Sequence, residues 1–308
     1  MKVLLLALGL VQLPGFSTAP VLEAHQIHAI LGDPMRIERT PPADGRLTVV
    51  SWNIAQGVRY ERLRDVLRSL DADVYLLQEV DMGVRRSGYR DVASALAHDL
   101  GLNWVFAGEF QEIGQARGSR AALTGQAVLS RYPIYGAVSL RFQNQANLRW
   151  RLDPFQPRRG GRIALRAESG GMLLYNAHIE SAKNETFRHK QIDEMLVDYR
   201  TTRTDRPVVF AGDFNTEQAP DRSPVIRALT NGGFVDALGV SEAPRRTTLA
   251  HDNALDWIFV RNLTAEMGRV IDVRQISDHF PLAATVRMAP PVPAAADGAA
   301  GVRAPGGR

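Results

Sequence analysis

Apolar and polar positions along the chain follow two patterns, one typical of buried strands and the other of helices. Short apolar runs predict strands near residues 47–52, 73–77, 126–129, 163–167, 172–178, 207–211, 255–260 and 282–286. Apolar residues at helical spacing predict a helix over 60–70, and a longer helix fits 185–200, with Asn184 available as its cap. Helices that alternate with packed strands predict an α/β fold.

The two ends of the chain differ from the segment between them. Met1 and Lys2 precede nine uncharged, mostly aliphatic residues and then small residues, a layout that predicts a signal peptide over residues 1–24. A bilayer-spanning helix needs about 20 apolar residues, so we expect no transmembrane span in the mature chain. A short buried helix or an uncleaved membrane-associated segment is the alternative interpretation.

Even composition across the middle of the chain predicts one domain at residues 46–287, preceded by a lead-in at 25–45. From Ala289 to Arg308, fifteen of twenty residues are Ala, Gly or Pro. Such a segment has too little large apolar surface to offset the entropy of ordering it. We therefore predict a disordered tail over 288–308.

Composition excludes several classes of protein. Of 308 residues, 45% are apolar and 23% charged, which rules out a wholly disordered chain and gives no sign of a fibre, a coiled coil or a polytopic membrane protein. Cysteine is absent, so disulfides, thiolate metal sites and cysteine nucleophiles are excluded. Any metal ion must bind to oxygen or imidazole.

Charge adds a mild preference for anionic partners. The formal net charge is +4, and it is unevenly spread. Seven arginines lie between Arg141 and Arg166, against the single acid Asp153. Two interpretations remain for this segment: a solvated surface insert, or a rim that recruits phosphate through the planar guanidinium group.

Most of the predicted strands stop at a polar cluster, and these clusters carry the candidate chemistry. They are Trp52-Asn53, Gln78-Glu79, Asn176-Ala177-His178, Gly212-Asp213-Phe214-Asn215, Asp256 and Ser277-Asp278-His279. One such cluster is weak evidence, because polar residues commonly punctuate loops. Six of them at the ends of strands indicate a common site.

Six phrases of the sequence carry a family resemblance. They are Ser-Trp-Asn-Ile at 51–54, Leu-Leu-Gln-Glu-Val at 76–80, Gly-Gln-Ala-Val-Leu-Ser-Arg-Tyr-Pro-Ile at 125–134, Gly-Asp-Phe-Asn at 212–215, Leu-Asp-Trp-Ile-Phe at 255–259 and Ser-Asp-His-Phe-Pro-Leu at 277–282. Together they resemble the DNase-I-like endonuclease/exonuclease/phosphatase superfamily from about residue 47 to 286. The resemblance implies a four-layer sandwich of two mostly antiparallel sheets flanked by helices. It also implies metal-dependent hydrolysis of phosphoesters at one open edge.

Hydrolysis of a phosphodiester requires an activated water, neutralised phosphoryl oxygens and a proton for the leaving oxygen. Asn53, Glu79 and Asp278 supply the hard oxygen ligands that Mg²⁺ prefers, with Mn²⁺ as a substitute. Each has an ordinary alternative: Glu79 as an exposed acid at the end of a strand, and Asn53 as a residue that closes a turn.

Two acids and two histidines are the candidate catalytic groups. The resemblance implies that Asp213 orients or deprotonates the attacking water, and that Asp256 orients His279. His178 and His279 are candidate proton donors and phosphate clamps, because imidazole changes charge near neutrality. A lone histidine is more often structural than catalytic.

Asn215 stands two residues after Asp213, so the two side chains can face one phosphate. The resemblance implies that Asn215 holds the water or donates to a phosphoryl oxygen. An Asx-turn between the two residues is the structural alternative.

Four further residues are predicted to contact the substrate: Gln126, Arg162, Asn176 and Arg188. Gln126 stands where the family often carries Asn, and the two arginines are candidates for phosphate binding. The phrase around Asn176 resembles the DNase, sphingomyelinase and phosphatase branches. In one departure, Ala254-Leu255-Asp256 lacks the basic residue that often precedes the family's Asp.

The sequence thus predicts a periplasmic or secreted metal-dependent phosphoesterase, most directly a phosphodiesterase or nuclease. The partner is an anionic phosphoester, either nucleic acid or a lipid headgroup, so a sphingomyelinase-type or phosphoinositide-type lipid phosphoesterase is the first alternative. A catalytically inactive binding protein of the same fold is the second. Retention of the whole acid, amide and histidine set argues against that second alternative.

Overall fold

The computed structural model describes residues 18–146, 157–181, 185–202, 205–216, 222–239, 245–250, 252 and 254–288. The hydrophobic part of the predicted signal peptide and nearly all of the predicted tail lie outside these ranges. Within the described ranges, no helix combines the length and the apolar character needed to cross a membrane.

Five α-helices, one short 3₁₀ helix (Arg85–Ser87) and fourteen strands make up the described structure. In chain order they are α1 (Ala24–Ile27), β1 (Ile30–Asp33), β2 (Arg46–Gln56), α2 (Tyr60–Leu70), β3 (Val74–Met82), α3 (Val92–Leu100), β4 (Asn103–Glu112), β5 (Leu123–Ser130), β6 (Ile134–Arg141), β7 (Arg158–Gly160), β8 (Ile163–Ser169), β9 (Met172–His178), α4 (Glu185–Thr202), β10 (Val208–Asp213), α5 (Pro224–Asn231), β11 (Val235–Asp236), β12 (Asp256–Arg261), β13 (Leu263–Val270) and β14 (Leu282–Met288).

The strands form two sheets. The first has eight strands in the order β1-β4-β5-β3-β2-β14-β13, with β7 added beside β4, and the second has six in the order β11-β12-β10-β9-β8-β6. The pairs β2–β3 and β9–β10 are parallel, and the other pairs are antiparallel. This arrangement confirms the predicted sandwich of two mostly antiparallel sheets flanked by helices.

The main core lies between the sheets. Val49 of β2 faces Leu165 of β8, Leu174 of β9 and Val209 of β10 in one buried cluster. Complete burial of each such side chain contributes roughly 1.5–3 kcal/mol. Helices α2 and α3 bury the outer face of the first sheet, and α4 and α5 bury that of the second. The structure therefore has four layers, namely helices, two sheets and helices. The edges of the sheets are left uncovered and are available for a functional site.

The segment 25–45, predicted to be a lead-in, contributes to the first sheet. Strand β1 pairs with β4 from Ile30 opposite Ala107 to Asp33 opposite Trp104. Gly32 permits this pairing, because a Cβ atom there would lie 2.4 Å from the Trp104 carbonyl oxygen. The ordered domain therefore begins before residue 46.

Candidate active site

Strand direction gathers the polar clusters at one edge of the sandwich. Regular pairing of the parallel strands β2 and β3 stops at Asn53 opposite Gln78, next to Glu79, and the parallel pair β9–β10 ends with His178 opposite Asp213. Strand β12 runs the other way, so it begins at this edge, with Asp256 opposite Asp213. The carboxyl ends of parallel strands share an edge, which is why these distant clusters meet.

Asp256, His279 and Asp213 form a buried chain of contacts. The Nδ1 atom of His279 lies 2.9 Å from Asp256 Oδ2, and its Nε2 atom lies 3.6 Å from Asp213 Oδ2. The three residues are at most 9% exposed. Asp256 therefore fixes the orientation of the ring, and the opposite ring nitrogen faces Asp213.

The loop before β14 is held firmly in place. The indole Nε1 of Trp52 donates to the His279 carbonyl at 2.9 Å, and the Ser277 hydroxyl donates to the Asn53 carbonyl at 2.7 Å. The backbone N–H of His279 donates to the same hydroxyl at 3.1 Å. These bonds tie the histidine to the end of β2, so its ring is positioned before any substrate arrives.

Burial and charge set the protonation of this chain. Burial raises the pKa of Asp213 to about 7, and the Asp256 carboxylate acts in the same direction, against the opposing effect of His279. Burial opposes the charged form of His279, but the carboxylates of Asp256 and Asp213 outweigh it and raise the pKa of His279 to about 10. Groups this close titrate as one coupled unit. At neutral pH the site thus holds an imidazolium beside a carboxyl group that changes charge.

His178 lies on the other side of Asp213. Its Nε2 atom is 3.5 Å from Asp213 Oδ2, and its Nδ1 atom is 3.8 Å from Glu79 Oε1. Burial lowers the pKa of His178 well below its usual value, and the positive charges of Arg162 and His279 lower it further. The ring is therefore neutral at pH 7. It can donate a hydrogen bond to a phosphoryl oxygen without carrying charge.

Two asparagines complete the surroundings of Asp213. Asn53 donates from Nδ2 to Asp213 Oδ2 at 3.2 Å. The backbone N–H of Asn215 donates to Asp213 Oδ1 at 3.0 Å, which is the contact expected for the alternative interpretation, an Asx-turn. The side chain of Asn215 donates to the Ile179 carbonyl at 3.2 Å. A contact between Asn215 and a phosphate stays a prediction.

Glu79 and Asp278 are the most accessible of the predicted metal ligands. The Glu79 side chain is 27% exposed, and Asp278 is an exposed residue whose Oδ1 lies 3.3 Å from the Ser277 hydroxyl. Asn53 offers its Oδ1, which accepts one hydrogen bond from the Ala55 N–H at 3.2 Å and keeps a second lone pair. This donor set of hard oxygens fits a divalent cation such as Mg²⁺.

A second group of potential ligands lies deeper. Among the described residues, ligand atoms of Asp213, Asp256 and His279 all lie within 4.8 Å of one another. Within this group, His279 Nδ1 already lies 2.9 Å from Asp256 Oδ2. This contact suits an acid–base unit at this position, and the assignment of Glu79, Asn53 and Asp278 as metal ligands stays a prediction.

The structure corrects the interpretation of Asn176. Its amide nitrogen donates to the Leu77 and Ala127 carbonyls at 2.8 and 2.9 Å, and its oxygen accepts from Gln78 at 2.7 Å. Every donor of this fully buried side chain is used inside the protein. Asn176 therefore links the two sheets beneath the site and has no N–H left for a substrate.

The other predicted substrate contacts are also buried. Gln126 donates from Nε2 to the Ile163 carbonyl at 2.9 Å, and Arg188 donates from Nε to Glu185 at 2.7 Å. Arg162 pairs with the buried Glu109 at 3.1 Å. Their contacts with substrate stay predictions, and each of the three already has a partner within the protein.

Arginines of the basic segment are paired with acids from elsewhere in the chain. Arg158 lies 2.9 Å from Glu112, and Arg166 lies 2.8 Å from Asp198. Residues 147–156 of this segment lie outside the described ranges. The local surplus of positive charge seen in the sequence is thus largely compensated in the described part.

Two polar residues near the site escaped the sequence analysis. Gln56 donates from its side chain to Glu79, and buried Glu109 pairs with Arg162, which also donates to the His178 carbonyl at 3.4 Å. Burial raises the pKa of Glu109 to about 7, in spite of the opposing charge of Arg162. Gln56 follows a recognised phrase by two residues, whereas Glu109 lies on a strand that the apolar pattern did not predict.

The chain is similar to known proteins in both sequence and structure. The Escherichia coli (strain K12) protein named Uncharacterized protein YbhP is 27% identical over 244 residues, which cover 73% of this chain and 87% of that protein. A solved endonuclease/exonuclease/phosphatase from Beutenbergia cavernae has a TM-score of 0.58 at 19% identity, covering 79% of this chain and 72% of its own. Another from Bacteroides vulgatus has a TM-score of 0.59 at 16% identity, covering 79% and 99%.

The family model extends over the same strands that carry the site. It spans residues 50–279, from the strand that bears Asn53 to His279 itself. Every strand end described above falls inside this match. The chain therefore belongs to the endonuclease/exonuclease/phosphatase family.

Proposed function

We propose that the protein is a metal-dependent phosphodiesterase of nuclease type. The observation that carries the proposal is the position of the Asp213 carboxylate, with Asn53 on one side and the rings of His178 and His279 within 3.6 Å. A buried carboxylate between a neutral and a charged imidazole supplies a proton acceptor, a neutral donor and a cation at one place. Those are the groups that phosphodiester hydrolysis requires.

In the proposed reaction, the Asp213 carboxylate accepts a proton from the attacking water as the water oxygen bonds to phosphorus. The bond between phosphorus and the leaving oxygen breaks, and the Nε2–H of His279 faces the charge that develops there. Asp256 holds this imidazolium in place, and His178 donates a neutral hydrogen bond to a phosphoryl oxygen. Glu79, Asn53 and Asp278 would hold a divalent cation, which would supply Lewis-acid polarisation of the phosphate when bound.

A basic groove beside the site supports a polyanionic substrate. It runs along the start of α2 and the loop before β14 and is lined by Val58, Arg59, Tyr60, Glu61, Arg62, Arg90 and Gln275. Arg59 and Arg62 are exposed, and the Arg90 guanidinium lies 4.0 Å from the centre of the Tyr60 ring. Three cations against one acid favour a chain of phosphates over a single phosphate.

A substrate panel tests the proposed activity. With Mg²⁺ we expect cleavage of plasmid DNA or RNA and of a simple aryl phosphodiester, and little turnover of sphingomyelin or inositol phosphates. EDTA should abolish the activity and excess Mg²⁺ or Mn²⁺ should restore it. Turnover that survives chelation contradicts the metal role. Selective turnover of the lipid would replace the nuclease assignment by the lipid alternative.

We also propose that the protein is exported, on the strength of the signal-like layout of residues 1–24. Cell fractionation followed by N-terminal sequencing tests this. We expect a periplasmic or secreted chain that begins after Ala24. A cytosolic chain that retains Met1 contradicts the proposal.

A further inference from the structure

The last residue of β2, Gln56, lies directly against the partly exposed Glu79, a predicted metal ligand. Gln56 donates from Nε2 to Glu79 Oε2, while Glu79 Oε1 lies 3.8 Å from His178 Nδ1. We infer that Gln56 is a positioning residue, which orients the Glu79 carboxylate for a divalent cation. The inference rests on the proposed function, in which Glu79 binds that cation.

The backbone on both sides of this contact is unusual. Ala55, Gln56 and Gly57 are consecutive left-handed residues with φ of 45°, 62° and 69°, and Glu79 has φ of 51°. For residues other than glycine, this conformation is energetically unfavourable. Strained residues persist where the surrounding structure determines them, and they cluster at functional sites.

The strain coincides with two breaks in sheet register. Pairing of β2 with β3 is irregular between Asn53 and Gln56, and pairing of β3 with β5 is irregular between Leu77 and Val80. The first break brings Gln56 opposite Val80, and the second contains Glu79. Bulges of this kind re-aim side chains beside active sites. Here the two breaks in register lie at Gln56 and Glu79, the two residues that are in contact.

Packing behind the loop prevents it from relaxing. A Cβ atom at Gly57 would lie 2.7 Å from a methyl group of Val92 on α3, so the loop rests directly on that helix. The Gly57 N–H also donates to the Ile54 carbonyl at 3.0 Å. The backbone next to Gln56 is therefore held from behind.

The chemistry of an amide suits this task. An N–H donor engages one carboxylate oxygen without competing for the cation, and it leaves the other oxygen to ligate. Loss of a hydrogen-bonding partner of a metal ligand typically weakens metal affinity by about 10–100-fold. An acid in place of Gln56 would repel Glu79, and an apolar residue would leave its carboxylate free to rotate.

The inference is tested by measuring the affinity of the full-length protein for Mn²⁺ in the absence of substrate, with electron paramagnetic resonance as the readout. Gln56→Met keeps the length of the side chain and removes the donor, and we expect it to weaken Mn²⁺ binding by about tenfold or more. The melting temperature without metal should change little. Gln143→Met, at an exposed glutamine far along the chain, should bind Mn²⁺ like the parent protein. If Gln56→Met lowers the melting temperature by more than a few degrees, Gln56→Ala takes its place in the titration.

Glu79→Gln separates the two ways in which the inference can fail. If Glu79→Gln loses Mn²⁺ binding and Gln56→Met does not, Gln56 has no positioning role and the metal assignment stands. If Glu79→Gln binds Mn²⁺ as tightly as the parent, Glu79 is not a ligand, and both the inference and the metal part of the proposed function are overturned. Weaker binding in both variants, with Gln143→Met unchanged, supports the inference.

Discussion

Asp213→Asn should lower kcat/KM by a factor on the order of 10²–10⁴ and leave the protein folded. Asparagine has the same shape as aspartate, but it cannot accept a proton and carries no charge. Asp213 Oδ2 lies 3.2 Å from Asn53 Nδ2, 3.5 Å from His178 Nε2 and 3.6 Å from His279 Nε2, so one atom serves three partners. Steady-state kinetics on an aryl phosphodiester, with a thermal melt of each protein, measures the effect.

The pH profile gives this prediction a second readout. Burial raises the pKa of Asp213 to about 7, and the form able to accept a proton is the carboxylate that exists above this pKa. Parental kcat/KM should therefore rise as the pH increases through 7 and fall about tenfold per pH unit below it. The residual activity of Asp213→Asn should lack this rising limb.

Asp272→Asn is the matched control, because Asp272 is exposed and paired with Arg274 at 2.9 Å. It removes a negative charge at the surface and should leave both rate and pH profile unchanged. Parental activity in Asp213→Asn, or an unchanged rising limb, would show that another group accepts the proton.

The position of the site was predictable from sequence because each of its residues follows or opens an apolar run. The predicted strand over 172–178 and helix over 60–70 coincide with the observed β9 and α2. His178, Asp213 and Asn53 stand at the ends of such strands, where a change from apolar to polar residues marks the sheet edge. The meeting of these ends follows from strand direction, which the family resemblance implied.

Strands β4 and β13 were not predicted from the sequence, and there is a physical reason why each was missed. Strand β4 buries Glu109 and Glu112, which the sequence presents as polar interruptions of an apolar run. Their charges are compensated by Arg162 and Arg158, about fifty residues away in the chain. Strand β13 lies at the edge of its sheet, and most of its residues are at least partly exposed. Neither pattern resembles a buried strand.

The role of Asn176 was equally hidden. An amide at the end of an apolar strand is compatible with substrate binding and with a link between sheets, since both need a donor and an acceptor. The deciding facts are its partners Gln78, Leu77 and Ala127, which lie on other strands. Only the packing of one sheet on the other shows that these groups use every donor of the side chain.

His279→Ala should lower kcat/KM by a factor on the order of 10²–10³, and Asp256→Asn by a smaller factor, because Asp256 acts through His279. The Nδ1 atom of His279 lies 2.9 Å from Asp256 Oδ2, and no other catalytic role is assigned to this acid. The double variant should therefore be no slower than His279→Ala alone. Losses that multiply in the double variant would mean that the two residues act independently.

The loss of activity at high pH distinguishes two possible roles of Asp256: orienting the His279 ring and keeping that ring charged. The charged form of His279 exists below its pKa, which Asp256 and Asp213 raise to about 10 against the effect of burial, so parental activity should decline only above that pH. In Asp256→Asn the largest raising influence is gone, and the decline should move to lower pH. His178→Ala provides the comparison: burial keeps the pKa of His178 well below its usual value, so this variant should be slow but should decline at the parental pH. If the activity of Asp256→Asn still declines only near pH 10, the His279 imidazolium does not need its carboxylate partner to remain charged.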